Sequence, residues 1–165
     1  MDTKPMQISS KVIELNDFLK KLKYLRQAGK RIVFTNGCFD ILHIGHVRYL
    51  QSAKAEGDIL VIGLNSDRSV HIIKGEKRPV IGEQQRAEVL ASVGFVDYVI
   101  LFDEPDPHTL IAAVAPDVLV KGADWAEEQI VGADVVKAGG GRVVRVPVVP
   151  DVSTSQIIED IIRKY

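Results

Sequence analysis

Short apolar runs alternate with amphipathic stretches along most of the chain. Ile32-Val33-Phe34, Ile59 to Leu64, Tyr98 to Phe102, Asp117 to Lys121 and Arg142 to Val146 each read as a buried strand bounded by turn residues. Helical spacing fills the gaps between them. Phe18, Leu19, Leu22 and Leu25 form a stripe on a helix capped by Asn16 or Asp17, running to about Ala28 and ended by Gly29. Val47, Leu50 and Ala53 share one face of a helix from Gly45 to about Glu56. Asn65-Ser66-Asp67 caps a short helix, and Glu83 to Ser92 reads as another, with Ala87, Leu90 and Ala91 inward. A Pro-containing turn, 103–107, leads to a helix over His108 to Val114. A further helix over Val131 to Ala138 ends at Gly139-Gly140-Gly141, and Ser153-Thr154-Ser155 caps a last one through about Lys164. Residues 72–82 (IIKGEKRPVIG) break the pattern with glycines, a proline and basic side chains, and are expected to form a loop that is either a solvated connection or a mobile cover for a polyanion.

Strands alternating with helices predict right-handed crossovers and a doubly wound, five-stranded parallel α/β sheet, Rossmann-like in plan. One domain is expected over 1–165, with 1–14 as a polar lead-in. Ligands bind such sheets outside the C-terminal ends of the strands. Four polar stretches fall there: 35–46, 65–67, 121–125 and 153–155.

Composition narrows the classes. A hydrophobic content of 46% and charged content of 26% indicate a globular domain, and a net charge of −1 argues against bulk-charge binding to nucleic acid. Cys38 is the only cysteine, so no internal disulfide forms, which fits a reducing cytoplasm. The N-terminus lacks the apolar core of a signal peptide, and no apolar run reaches the roughly 20 residues needed to cross a bilayer.

No G-x-G-x-x-G or G-x-x-x-x-G-K-[ST] follows the first strand, which weakens dinucleotide or Walker-type phosphate binding. That position holds Asn36-Gly37-Cys38-Phe39-Asp40-Ile41-Leu42-His43-Ile44-Gly45-His46. Two histidines three apart at a helix start suit a phosphate, because free N–H groups and positive partial charge gather there. Gly45 between them lets a ligand approach the backbone. Zinc on His43, His46, Asp40 and Cys38 is the rival, although the spacing matches no common structural zinc pattern. A structural role for the histidines is the third alternative.

This stretch resembles the HxGH signature of the nucleotidyltransferase superfamily, in the branch with the cytidylyltransferases. Val152-Ser153-Thr154-Ser155 resembles its second signature, a Ser/Thr-rich helix start, with serine replacing the last threonine. FTNGCFDILHIGHVRYL, GLNSD, KRPV, Gln85-Arg86, VDYV, PDVLVKGADW and GADVV look like the adenylyltransferases that make ADP-heptose, over about residues 14–164. In many bacteria that activity is the C-terminal half of a two-domain protein whose other half is a sugar kinase. With no kinase half in the sequence, the chain is expected to be the monofunctional form. Glycerol-3-phosphate cytidylyltransferases usually carry an arginine shortly before the Ser/Thr motif; Val148-Val149-Pro150-Asp151 stands here instead. That departure weighs against glycerol 3-phosphate as acceptor, and FMN is the other alternative.

The resemblance implies transfer of AMP from ATP to D-glycero-β-D-manno-heptose 1-phosphate, releasing pyrophosphate, by a cytoplasmic homodimer with no nucleic-acid or membrane partner. Mg²⁺ is expected on the phosphates rather than on protein side chains. His43, His46 and Lys74 are the expected catalytic residues. Thr35, Asn36, Gly37, Cys38, Phe39, Asp40, Gly45, Lys121, Gly122, Asp124, Trp125, Ser153, Thr154 and Ser155 are expected to bind the nucleotide. Within that set, Lys121, Gly122 and Trp125 edge the adenine, the Ser153 cap takes the β- and γ-phosphates, and Asp40 orients the turn or a metal shell. Asn65, Asp67, Lys77, Arg78 and Arg86 are expected on the acceptor side, the alternatives being a cap or turn role for Asp67 and Asp124, a salt bridge to a neighbouring carboxylate for Arg86 and a core position for Trp125.

Overall fold

The computed structural model describes residues 10–165. It contains the five-stranded, all-parallel sheet expected from the sequence, in the order β3-β2-β1-β4-β5. The strands are β1 (Ile32–Gly37), β2 (Ile59–Asn65), β3 (Tyr98–Phe102), β4 (Val118–Gly122) and β5 (Arg142–Val146). The helices are α1 (Leu15–Gln27), α2 (Ile44–Lys54), α3 (Asp67–Lys74), α4 (Glu83–Ser92), α5 (His108–Val114), α6 (Ala133–Ala138) and α7 (Thr154–Lys164).

Alternating side chains of each strand serve opposite cores. Val33, Leu60 and Ile62 face α2 and α4, packing on Leu50, Ala53, Ala87 and Leu90. Ile32, Phe34 and Val61 face α1, α5 and α6, packing on Phe18, Leu22, Ile111 and Val136. Strands β1 to β4 are largely buried on both faces, which is why they appear in the sequence as apolar runs, whereas edge strand β5 buries only Val146 fully. The α7 helix stands apart, with no fully buried residue.

Several boundaries differ from expectation. The first strand continues through Thr35-Asn36-Gly37, which pair with Ile62, Gly63 and Leu64. Those three polar residues are ladder members, not turn. Glu14, not Asn16 or Asp17, caps α1. Ser66 caps α3, its hydroxyl accepting from Ser69 N at 3.1 Å, and the helix runs on through Lys74. Only 75–82 of the expected loop lies outside a helix. Part of the polar lead-in also joins the sheet: Val99 N donates to Lys11 O and Ile13 N to Val99 O, extending the β3 edge. The first nine residues of that lead-in lie outside the described residues.

Below the strands, at the end away from the polar stretches, three aspartates staple neighbours together. Asp117 Oδ2 accepts from Ile32 N, Asp58 Oδ2 from Arg31 N and Asp97 Oδ2 from Leu60 N, each at 2.7 Å. The Asp117 side chain thus bonds the neighbouring strand's entry, and β4 begins one residue later than predicted.

Candidate functional site

A cavity of about 540 Å³ opens at the C-terminal ends of the strands, above the β1/β4 pair where the strand order reverses. Of the sequence-predicted residues, Asn36 to Asp40, His43, Gly45, His46, Asn65, Lys74, Arg78, Lys121, Gly122, Asp124, Trp125 and Ser153 to Ser155 line it. Thr35, Asp67, Lys77 and Arg86 do not.

The two histidines are set by the start of α2. His43 is its N-cap, and Nδ1 accepts from Gly45 N at 3.1 Å. A neutral ring accepting at Nδ1 carries its proton on Nε2, so His43 presents a donor. Its ring stacks on His46 with centroids 3.8 Å apart. Gly45 is required by this stack, since a Cβ there would stand 2.9 Å from the His43 ring. Phe39 meets His46 edge-on at 5.1 Å. Burial lowers the pKa of His43. Burial and the neighbouring His43 push His46 down to about 4, with the Ile41 carbonyl pulling the other way. Both rings are therefore neutral at pH 7. His46 lines the cavity, and its Nδ1 is buried without a hydrogen-bond partner among the described residues.

A second helix start faces the first. Ser153 caps α7, its Oγ accepting from Gln156 N at 3.1 Å, while its own proton remains to donate. Thr154 Oγ1 lies 3.5 Å from the Ile41 carbonyl, and a Cβ on Gly45 would touch Val152 at 3.7 Å. The N-termini of α2 and α7 thus converge on the same space, each bringing free N–H groups.

The turn beneath is braced from behind. Phe39 sits at φ 43°, a left-handed conformation that costs a non-glycine residue energy. It lets Asp40 swing onto the 78–81 segment, where the carboxylate accepts from Arg78 Nε at 2.6 Å and from Val80 N and Ile81 N at 2.9 Å. Burial raises the Asp40 pKa, but these donors outweigh it and hold the carboxyl below its usual value. Asp40 is consequently a clamp for the loop and is not free to complete a metal shell.

Three expected ligand residues are engaged within the fold and lie off the cavity. Arg86 is buried off the cavity: it donates to the Cys38 carbonyl, to Ile81 O at 2.9 Å and to Asp67 Oδ1 at 2.8 Å. Asp67 is spent on that pair. Thr35 is buried and shares a 2.7 Å hydrogen bond with Tyr49, whose hydroxyl donates to Val120 O at 3.0 Å, tying β1, α2 and β4 together. Burial pushes the Tyr49 phenol up, so it stays protonated. Lys77 is exposed and lies off the cavity.

The cavity floor carries a cation. Lys121, at the top of β4, donates from Nζ to Asn36 Oδ1 at 2.6 Å. Burial lowers its pKa to about 8, with Cys38 and Asp124 pulling back up. Burial also raises the Cys38 thiol, against the pull of Lys74, Arg86 and Arg78. Trp125 is 51% exposed and lines the cavity, so it is not a core residue.

Sequence reasoning missed the apolar walls. Gln129, Ile130, Val131, Val148 and Val149 lie on the Trp125 side, and Ile73 with Pro105, Asp106 and Pro107 on the other. The prolines were legible as a turn, but their place over the site follows from β3 being an edge strand. Asn65 helps hold that turn: its Nδ2 donates to Ser69 Oγ at 2.8 Å, which donates to Glu104 O at 2.8 Å. Among the described residues no group of three His, Cys, Asp or Glu is placed to hold a metal, and no helix is long and apolar enough to cross a membrane. The carboxylates lining the cavity are Asp40, Asp106 and Asp124.

Known proteins resemble this chain in sequence and in fold. A family model described as cytidylyltransferase-like matches residues 34–160. A bifunctional protein HldE from Pelobacter propionicus is 56% identical over 137 residues, 83% of this chain and 28% of that protein. One from Geobacter metallireducens is 52% identical over 156 residues, 94% of this chain and 32% of its own. The chain spans about a third of the length of these relatives. Among solved structures, a lipopolysaccharide core biosynthesis protein from Thermoplasma volcanium is 31% identical with a TM-score of 0.61, covering 73% of this chain and 98% of that one. A pantoate-β-alanine ligase from Francisella tularensis, at 15% identity and a TM-score of 0.56 over 92% of this chain and 78% of that one, shares the fold alone. The chain belongs to the cytidylyltransferase-like family of nucleotidyltransferases.

Proposed function

We propose that this chain transfers AMP from ATP to D-glycero-β-D-manno-heptose 1-phosphate, forming ADP-heptose and pyrophosphate for surface-glycan synthesis. The convergence of the α2 and α7 starts on one cavity, with two neutral histidines between them, carries the phosphoryl-transfer assignment. The identity with HldE proteins over most of the chain supports the choice of acceptor.

The acceptor phosphate has a second pKa of about 6, so it arrives ionised and needs no general base. One of its oxygens attacks the α-phosphorus, the bond to the β-phosphate breaks, and pyrophosphate leaves with the negative charge; no proton has to move. A residue that holds and neutralises oxygens suffices. The Nε2–H of His43 and the neutral ring of His46 suit that task, because a ring with a pKa near 4 is no acid at pH 7. Lys74 and Arg78 reach the cavity from the α3–α4 side. Ser153, Thr154 and the α7 N–H groups take the β- and γ-phosphates. A substrate-borne Mg²⁺ would supply charge neutralisation on the phosphates. The site fits an ion carried on the substrate, since Asp40 is already engaged and Asp106 and Asp124 are the remaining lining carboxylates. The working protein is proposed to be a cytoplasmic homodimer.

The test is pyrophosphate release. ATP with heptose 1-phosphate is expected to release it, and neither CTP with glycerol 3-phosphate nor ATP with FMN. Release with either rival pair and none with the heptose would reassign the acceptor. His46→Ala should lower turnover by roughly 10²–10³-fold with the melting temperature retained.

A further inference from the structure

Lys121 is a partly buried ammonium with few partners. Such a group has three N–H donors, and one is used, on Asn36 Oδ1. Among the described residues it forms no ion pair within 4.0 Å, although six other basic side chains outside the cavity floor, from Lys20 to Arg163, each find a carboxylate. A partly buried cation whose one hydrogen-bond partner is a neutral amide, with the Asp124 carboxylate attracting it from beyond ion-pair distance, keeps donors for a further anion. Asn36 is itself fixed in the β1 ladder, so it holds the ammonium in one place at the cavity floor.

Its location says which anion. On one side Lys121 continues into Gly122, Asp124 and Trp125, the wall suited to a nucleoside. On the other it is tied to Asn36, where the turn toward His43 and His46 begins. In a nucleoside triphosphate, the group between the nucleoside and the β-phosphate is the α-phosphate. We infer that Lys121 is a ligand of the α-phosphate, holding a non-bridging oxygen of the group under attack, with Asn36 positioning the ammonium. This differs from an edge of the adenine pocket, the role expected from sequence. It rests on the cavity being a nucleotide site and is independent of the acceptor. The lowered pKa of about 8 fits an ammonium that has yet to meet its anion.

Equilibrium binding of ATP, AMP and adenosine to the wild type, Lys121→Met and Lys121→Arg tests it, without any acceptor. Methionine keeps the apolar stem and removes the charge, so the fold should persist, checked by thermal melting. A charge-assisted hydrogen bond lost here should weaken ATP and AMP by roughly ten- to a hundredfold. Adenosine, which has no phosphate, should bind Lys121→Met as it binds the wild type, and Lys121→Arg should recover part of the loss. Equal weakening of adenosine would make Lys121 part of the base pocket and overturn the inference. Loss for ATP but not AMP would move the contact to the β- or γ-phosphate and overturn it also, as would unchanged binding of all three. Failure of heptose 1-phosphate as acceptor would leave these outcomes unaffected. If the wild type bound no nucleotide, the site assignment itself would fall, and Lys121 with it.

Discussion

Replacing Arg86 by methionine tests the brace behind the HxGH turn. In the wild type the guanidinium serves the Cys38 and Ile81 carbonyls and the Asp67 carboxylate from a fully buried position. Methionine fills much of the same volume, so little cavity opens. Asp67 is 39% exposed and can regain water, so its lost bond costs little. The two carbonyls stay enclosed, at about 1–3 kcal/mol each. Removing a buried cation returns part of that through relieved desolvation. The net loss should be about 2–4 kcal/mol, or a fall of about 4–16 °C in melting temperature for a domain of this size. Thermal and urea melts at neutral pH measure it. Limited proteolysis should show faster cutting within 75–82, because Ile81 loses one of its two anchors, the other being Asp40. Arg86→Lys should recover little, since one ammonium lacks the planar fork that reaches three oxygens. A melting point within 2 °C of wild type, or full rescue by lysine, would refute the idea that the fork braces the turn.

Acid should destabilise the protein through His46. Its folded pKa near 4 lies below the unfolded value of 6.5, so between those values the unfolded chain binds more protons. Stability is then complete above pH 6.5 and falls by at most about 3 kcal/mol down to pH 4. His46→Gln should flatten that slope in urea titrations; an unchanged slope would point elsewhere. Gly45→Ala should lower kcat with little change in melting temperature, because the added Cβ displaces the His43 ring rather than the core. Full activity would mean the stack is dispensable. Ser153→Ala should cost about 1 kcal/mol of helix stability through the lost cap and raise the KM for ATP, read together by melts and initial rates.

The strands and most helices are legible in the sequence because each buries a face with its own period. Boundaries fail where a polar side chain bonds within the fold. Thr35 reads as turn but is a ladder residue whose hydroxyl is absorbed by Tyr49. The histidines and the Ser153 cap are legible because helix starts announce themselves locally. Arg86 is not, because whether an arginine faces a ligand or three protein oxygens depends on the partners that the crossovers bring near it. Asp40 and Arg78 likewise spend their charges on each other. The apolar walls escape notice for a different reason. Val148, Val149 and the 105–107 turn are unremarkable in isolation and acquire meaning only from the strand order.

The aspartates below the sheet bear on how such a site can change. A parallel sheet has no tight hairpins to set its register, so something else must align one strand with the next. Asp58, Asp97 and Asp117 do so at the strand entries, far from the cavity. The upper ends are therefore relieved of that duty and free to vary in length and composition. A different segment inserted at 103–107 would meet a sheet already aligned from below, and that wall of the cavity is then separable from the helix starts of α2 and α7.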